Sequence, residues 1–295
     1  MRINTVLILT AAVAAANVQA DTHGGDVADS VIADQRAALA ANTAGKGYGP
    51  QSPRDLRTED GENPNDFGEA PEYSAMNLCN IHFHKNAEHA GGEFTTYAGN
   101  GDGKGFDTGF VYNGKLSAAE ATPLNADVCV DDNGGLNAGD TIELHYVHST
   151  AMVGPGPTLG ACLEEANANP QLRVEGQVFV LVNDDSALDF NELAAVGVKD
   201  GFNQALAIPS NMGDPIEYDG STTGPGYNEK GSPLQVSWSV RPEVAKVSVA
   251  SVGKWCEDNI FEEVAAHGVR NLVVNPDLIS DLEDQTPPAG PPPGA

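Results

Sequence analysis

Residues 80–89, NIHFHKNAEH, carry His82, His84, Glu88 and His89 within one short stretch. On a strand, alternate side chains share a face. Asn80, His82 and His84 then stand together, while Cys79, Ile81 and Phe83 turn the other way into a core. Histidines at i and i+2 of a strand are about 6–7 Å apart at their backbones, and both imidazoles can lean onto one cation through bonds of about 2.0–2.1 Å. A helix would turn them apart.

A third donor comes from TIELHYVHS, residues 141–149. Alternation puts Glu143, His145 and Val147 on one face, and Ile142, Leu144, Tyr146 and His148 on the opposite, more apolar one. His145 is therefore the expected third ligand and His148 a hydrogen-bonded core histidine. Asn80 and Glu143 each precede a ligand by two positions on its own face, where they can accept the second imidazole N–H and fix its tautomer. Three neutral imidazoles with one open position make a catalytic rather than a structural metal site. Zinc there brings the pKa of water to about 7 and yields hydroxide for attack on an electrophilic carbon. Cobalt or cadmium are acceptable substitutes, since imidazole sites take several ions. His23, His89 and His267 read as surface or packing residues.

The elements that must position these residues are short β-branched and aromatic runs: NLCNIHFH, TIELHYVHS, VEGQVFVLV and LQVSWSV, separated by Gly, Asn, Asp and Pro. Helical spacing is read in VADSVIADQRAAL, DFNELAAVGVKDGFNQAL and KWCEDNIFEEVAAHG. The expected fold is mainly β with peripheral helices, a single domain on a large, mostly antiparallel twisted sheet.

Arg2, an Ala-rich apolar run and VQA at 18–20 read as an export signal over residues 1–20, too short to span a membrane. Residues 21–48 read as an N-terminal extension with a short helix, 49–276 as the catalytic domain, and 277–295 as an acidic, Pro-rich mobile tail. A periplasmic or secreted protein follows, and four cysteines in such a chain imply disulfides. Three connectivities are possible and the sequence does not choose between them; Cys79–Cys256 is the preferred pair, because both cysteines flank segments that read as core. A net charge of −27 excludes nucleic acid and anionic membranes as partners and favours an uncharged small substrate.

IHFH followed by EH, then IELHYVH, EYDGSTTGP and LQVSWSV, resembles the ordered motifs of the α-class carbonic anhydrases. The stretch from GPQSPRDL to AAHGVRNLV, residues 49–273, resembles most the δ-class carbonic anhydrases. The resemblance implies the α-carbonic-anhydrase fold and zinc-dependent conversion of CO2 and water to bicarbonate and a proton, with His82, His84 and His145 as ligands. It also implies that Thr223 accepts a hydrogen bond from the zinc-bound hydroxide and donates its own to Glu88, orienting the nucleophile. The CO2 recess is expected to be dry and apolar, walled by Val147 with Val180 and Trp238. Two features depart from the α-class pattern: Thr222 stands where that pattern has leucine, and Glu88 follows His84 more closely, leaving Glu93 as a second candidate for the buried carboxylate. No residue aligns with a proton shuttle. Two other readings remain, a cupin-type metal enzyme using Glu88 as a ligand and a non-catalytic zinc-binding module on the same scaffold.

Overall fold

The computed structural model describes residues 26–167, 169–224 and 226–282. The expected signal peptide, His23 and most of the expected tail lie outside them. In chain order the elements are α1 (Asp29–Thr43), β1 (Asn77–Lys85), β2 (Thr96–Asn100), β3 (Thr108–Val111), β4 (Thr141–Ser149), β5 (Leu172–Val182), α2 (Phe190–Leu193), β6 (Val196–Lys199), β7 (Phe202–Ala205), β8 (Ile216–Ser221), β9 (Gln235–Val240), β10 (Ala245–Ser248) and α3 (Val249–Glu257).

The four runs singled out in the sequence are β1, β4, β5 and β9, and they form one mixed sheet in the order β1-β4-β5-β9-β8. β1, β4 and β5 are antiparallel neighbours, as are β8 and β9. β5 is long enough to take two parallel partners in succession, β9 along Arg173–Gly176 and β10 along Phe179–Val182. Side-chain alternation builds a core on each face. Ile81, Phe83, Leu144, Tyr146 and Phe179 pack under α3 through Val252 and Trp255. Val147, Val174, Val178, Val236 and Trp238 form the other cluster.

One irregularity changes the expected cysteine pairing. Leu78 pairs with His148 and Asn80 with Val147, so Cys79 is the extra residue of a β-bulge. A bulge breaks strict alternation. Cys79 therefore joins the Val147 cluster, away from Ile81 and Phe83, and bonds Cys162. Cys256, on α3 in the opposite cluster, bonds Cys129. The expected Cys79–Cys256 pair is wrong, because the two residues sit on opposite faces of the sheet.

Two expected helices are also corrected. DFNELAAVGVKDGFNQAL is helical only over Phe190–Leu193; the rest is the β6–β7 hairpin. Asp200 and Gly201 have φ of +52° and +91°, the left-handed pair a two-residue hairpin turn requires. KWCEDNIFEEVAAHG is helical only to Glu257. Asn259 ends it: its side-chain amide donates to the carbonyls of Trp255 and Glu263, and its oxygen accepts from the amides of Phe261 and Glu263. Such local bonds compete with the helical ladder. The chain after Asn259 is freed to run along β1, where the His267 amide donates to Phe83 and Lys85 donates back to His267.

The termini of the described region are tied together. Leu39 of α1 packs with Val273, Leu278 and Ile279, and Ser280 receives Arg54. Among the described residues, no helix is long and apolar enough to cross a membrane.

Candidate metal centre

β1 is an edge strand with its Asn80, His82, His84 face turned toward residues of β4. His82 stands opposite His145 in the antiparallel register. The ring centroids of His82, His84 and His145 lie 5.2, 5.1 and 4.8 Å apart pairwise. All three are buried.

Each imidazole has one nitrogen engaged by an oxygen. His82 Nδ1 donates to Asn80 Oδ1 at 2.6 Å, and the Asn80 amide is itself fixed on the Gly156 carbonyl. His84 Nδ1 donates to the Gly268 carbonyl at 2.9 Å. His145 Nε2 donates to Glu143 Oε1 at 3.0 Å. The remaining nitrogens are lone pairs. His84 Nε2 has no hydrogen-bond partner, and His82 Nε2 and His145 Nδ1 face each other at 3.3 Å. Two lone pairs so placed repel unless a cation lies between them. Two nitrogens on one tetrahedral zinc, with bonds of about 2.0–2.1 Å, are about 3.3–3.4 Å apart, so the spacing of this pair fits the ion.

Electrostatics keep these rings in the ligand state. Burial, then the neighbouring histidines His145 and His84, hold His82 well below its ordinary pKa. Burial pushes His84 down to about 3. It also lowers His145, in spite of Glu143. Burial would raise Glu143, but the charge and hydrogen bonds of His89 and His145 outweigh it and hold the carboxyl well below its ordinary value.

Glu143 owes its orientation to a residue read from sequence as mere packing. His89 is fully buried; its Nδ1 meets Glu143 Oε1 at 2.6 Å and its Nε2 meets the Tyr218 hydroxyl at 2.6 Å, which donates to Ser52. The amides of Glu88 and His89 donate to the second Glu143 oxygen. The available signal was His89 following Glu88 in the turn after β1.

Thr223 Oγ1 donates to Glu88 Oε2 at 3.3 Å, and Glu88 Oε1 accepts the Arg270 amide at 3.1 Å. Burial raises the pKa of Glu88. Glu93 is exposed and accepts from the Val244 amide, away from the histidines. Thr222 bonds Ser232.

Among the described residues, three overlapping sets can bring one donor atom each within 4.8 Å: His82–His84–His267, His84–Glu88–His145 and His89–Glu143–His145. The expected trio His82–His84–His145 is not itself one of these sets; it shares two members with each of the first two. Both nitrogens of His89 and both oxygens of Glu88 already have hydrogen-bond partners.

A cavity of about 820 Å3 opens on His82, His84, Glu88 and Thr223. Val147, Val180 and Trp238 are not in its lining. Val147 is covered by its own cluster, Val180 lies opposite Thr141 at the start of β4, and Trp238 packs behind His145 with centroids 5.0 Å apart. Residues outside the strands form the apolar wall instead: Phe106, Leu159, Phe261 and Val269. No strand periodicity could have identified them.

The model of the delta carbonic anhydrase family matches residues 73–251. No match was found among curated proteins. Solved structures similar to this chain include an α-carbonic anhydrase from Thermovibrio ammonificans with sulfanilamide, at 17% identity, covering 77% of this chain and 84% of that one, with a TM-score of 0.28. Carbonic anhydrase Cah3 from Chlamydomonas reinhardtii with acetazolamide is 18% identical, covering 76% and 87%, with a TM-score of 0.31. A halotolerant carbonic anhydrase from Dunaliella salina is 14% identical, covering 84% and 96%, with a TM-score of 0.29. These overlays are too loose to bear on function, and the family match is one of sequence.

Proposed function

This chain belongs to the delta carbonic anhydrase family, and on that premise we propose that it catalyses the reversible hydration of CO2 to bicarbonate and a proton, with zinc held by His82 Nε2, His84 Nε2 and His145 Nδ1. The observation that carries the reading is that His82 Nε2 and His145 Nδ1 face each other at 3.3 Å, beside a buried third nitrogen with no hydrogen-bond partner. When bound, the ion supplies hydroxide near neutral pH by acidifying water.

The chain's own residues do the rest. Asn80, Gly268 and Glu143 accept the outer N–H groups and so keep a lone pair of each imidazole aimed inward. Thr223 donates a hydrogen bond to Glu88, which leaves the hydroxyl oxygen free to accept one and so orient a nucleophile. The Arg270 amide anchors the other Glu88 oxygen, so the acceptor does not rotate. CO2 carries no charge, so a chain of net charge −27 does not repel it. The two disulfides support folding in an oxidising compartment, and we place the protein in the periplasm or outside the cell.

Metal analysis paired with a stopped-flow CO2 hydration assay tests this. The expected result is one zinc per chain with rapid hydration, both lost in His82→Ala. Iron without hydration overturns it for the cupin-type reading, and zinc without hydration for a non-catalytic metal-binding module.

A further inference from the structure

His267 is built like a ligand. It follows the Asn259 turn and pairs with β1 as a parallel bridge partner of His84, which brings its ring onto the same face. The ring stacks on His82, with centroids 5.1 Å apart and planes at 19°, and lies 5.7 Å from His84. Its Nε2 is held by Glu263 Oε2 at 2.7 Å, so Nδ1 is the ring nitrogen left for a cation. Asn80 and Gly268 do the same for His82 and His84. One donor atom from each of His82, His84 and His267 falls within 4.8 Å of the others.

This set shares two donors with the inner trio, so the two cannot be filled at once. They differ in access. The His267 side chain is 46% exposed and that of His145 2%. The cavity lining includes His82, His84, Glu263 and His267, whereas His145 lies behind it. A divalent cation arriving from solvent therefore meets the His267 set first.

We propose that His82, His84 and His267 form an outer cation position through which a divalent metal ion enters the site, passing inward when His145 replaces His267. The proposal rests on the ligand assignment above for His82 and His84, and adds a role for a residue that assignment leaves unused. Exchange of one imidazole for another at a fixed pair of donors keeps the ion coordinated throughout the transfer.

The test is metal uptake by the full-length apoprotein, read as zinc displacement of a chromogenic chelator. His145→Ala should still bind one Zn2+ or Co2+ per chain, more weakly than the wild type, and His145→Ala/His267→Ala should bind none. His267→Ala should reach the wild-type stoichiometry but load at least about tenfold more slowly, the scale on which single supporting groups act at metal sites. Wild-type loading rates in His267→Ala, or a His145→Ala protein of native circular dichroism that binds no metal while the wild type does, would overturn the outer position and leave the inner one standing. A wild-type chain that binds no metal would sink both.

Discussion

His82 Nε2 and His145 Nδ1 are each forced into the acceptor state by what holds the far side of the ring, Asn80 for one and Glu143 for the other. Thr223 is held in the same way by Glu88. In the proposed mechanism its hydroxyl acts by orientation, so Thr223→Ala should lower kcat/KM for CO2 by about 10–100-fold with zinc content unchanged. Loss of zinc together with activity would instead make Thr223 a structural residue. A second consequence concerns His148, whose Nδ1 bonds the Tyr146 carbonyl while Nε2 has no partner. Burial lowers its pKa from 6.5 to about 3. Its folded pKa is thus depressed, so the folded state binds fewer protons than the unfolded state between those values. The stability it contributes is complete above about 6.5 and declines toward about 3, at up to about 1.4 kcal/mol per pH unit. His148→Leu should therefore narrow the gap in urea stability between pH 7 and pH 4.5. An unchanged gap would show that His148 does not titrate in this way.

At the scale of elements, period-two alternation made β1 and β4 legible, and with them the faces on which Asn80, His82, His84, Glu143 and His145 stand. What alternation cannot show is a register slip. The bulge at Cys79 leaves no mark in residue types, and it alone decides which cluster that cysteine enters. Peptide mapping should recover Cys79–Cys162 and Cys129–Cys256, and replacing the first pair by alanines should cost about 2–5 kcal/mol. A Cys79–Cys256 peptide would contradict the bulge. The helices misread in sequence failed for local reasons. Lys199, Asp200 and Gly201 carry a turn signal inside a helix-like pattern, and Asn259 has a side chain that outcompetes the backbone ladder.

Over the whole molecule, the centre draws on segments far apart in the chain, several beyond the family match at 73–251. Ser52 ends the His89–Tyr218 chain, Arg270 reaches both Glu88 and the Ser52 carbonyl, and Gly268 holds His84. These joins, like the role of His267, were not legible in sequence, because loop-to-loop contacts have no periodicity. Strands β1 and β4 were, because two short alternating runs sufficed to bring His82 opposite His145. The most direct test of the account is a crystal structure of the zinc-loaded protein with an anomalous difference map at the zinc edge. It should show one peak about 2.0–2.1 Å from each of His82 Nε2, His84 Nε2 and His145 Nδ1. A peak bonded to the Glu88 carboxylate, or one that His145 does not touch, would contradict the account.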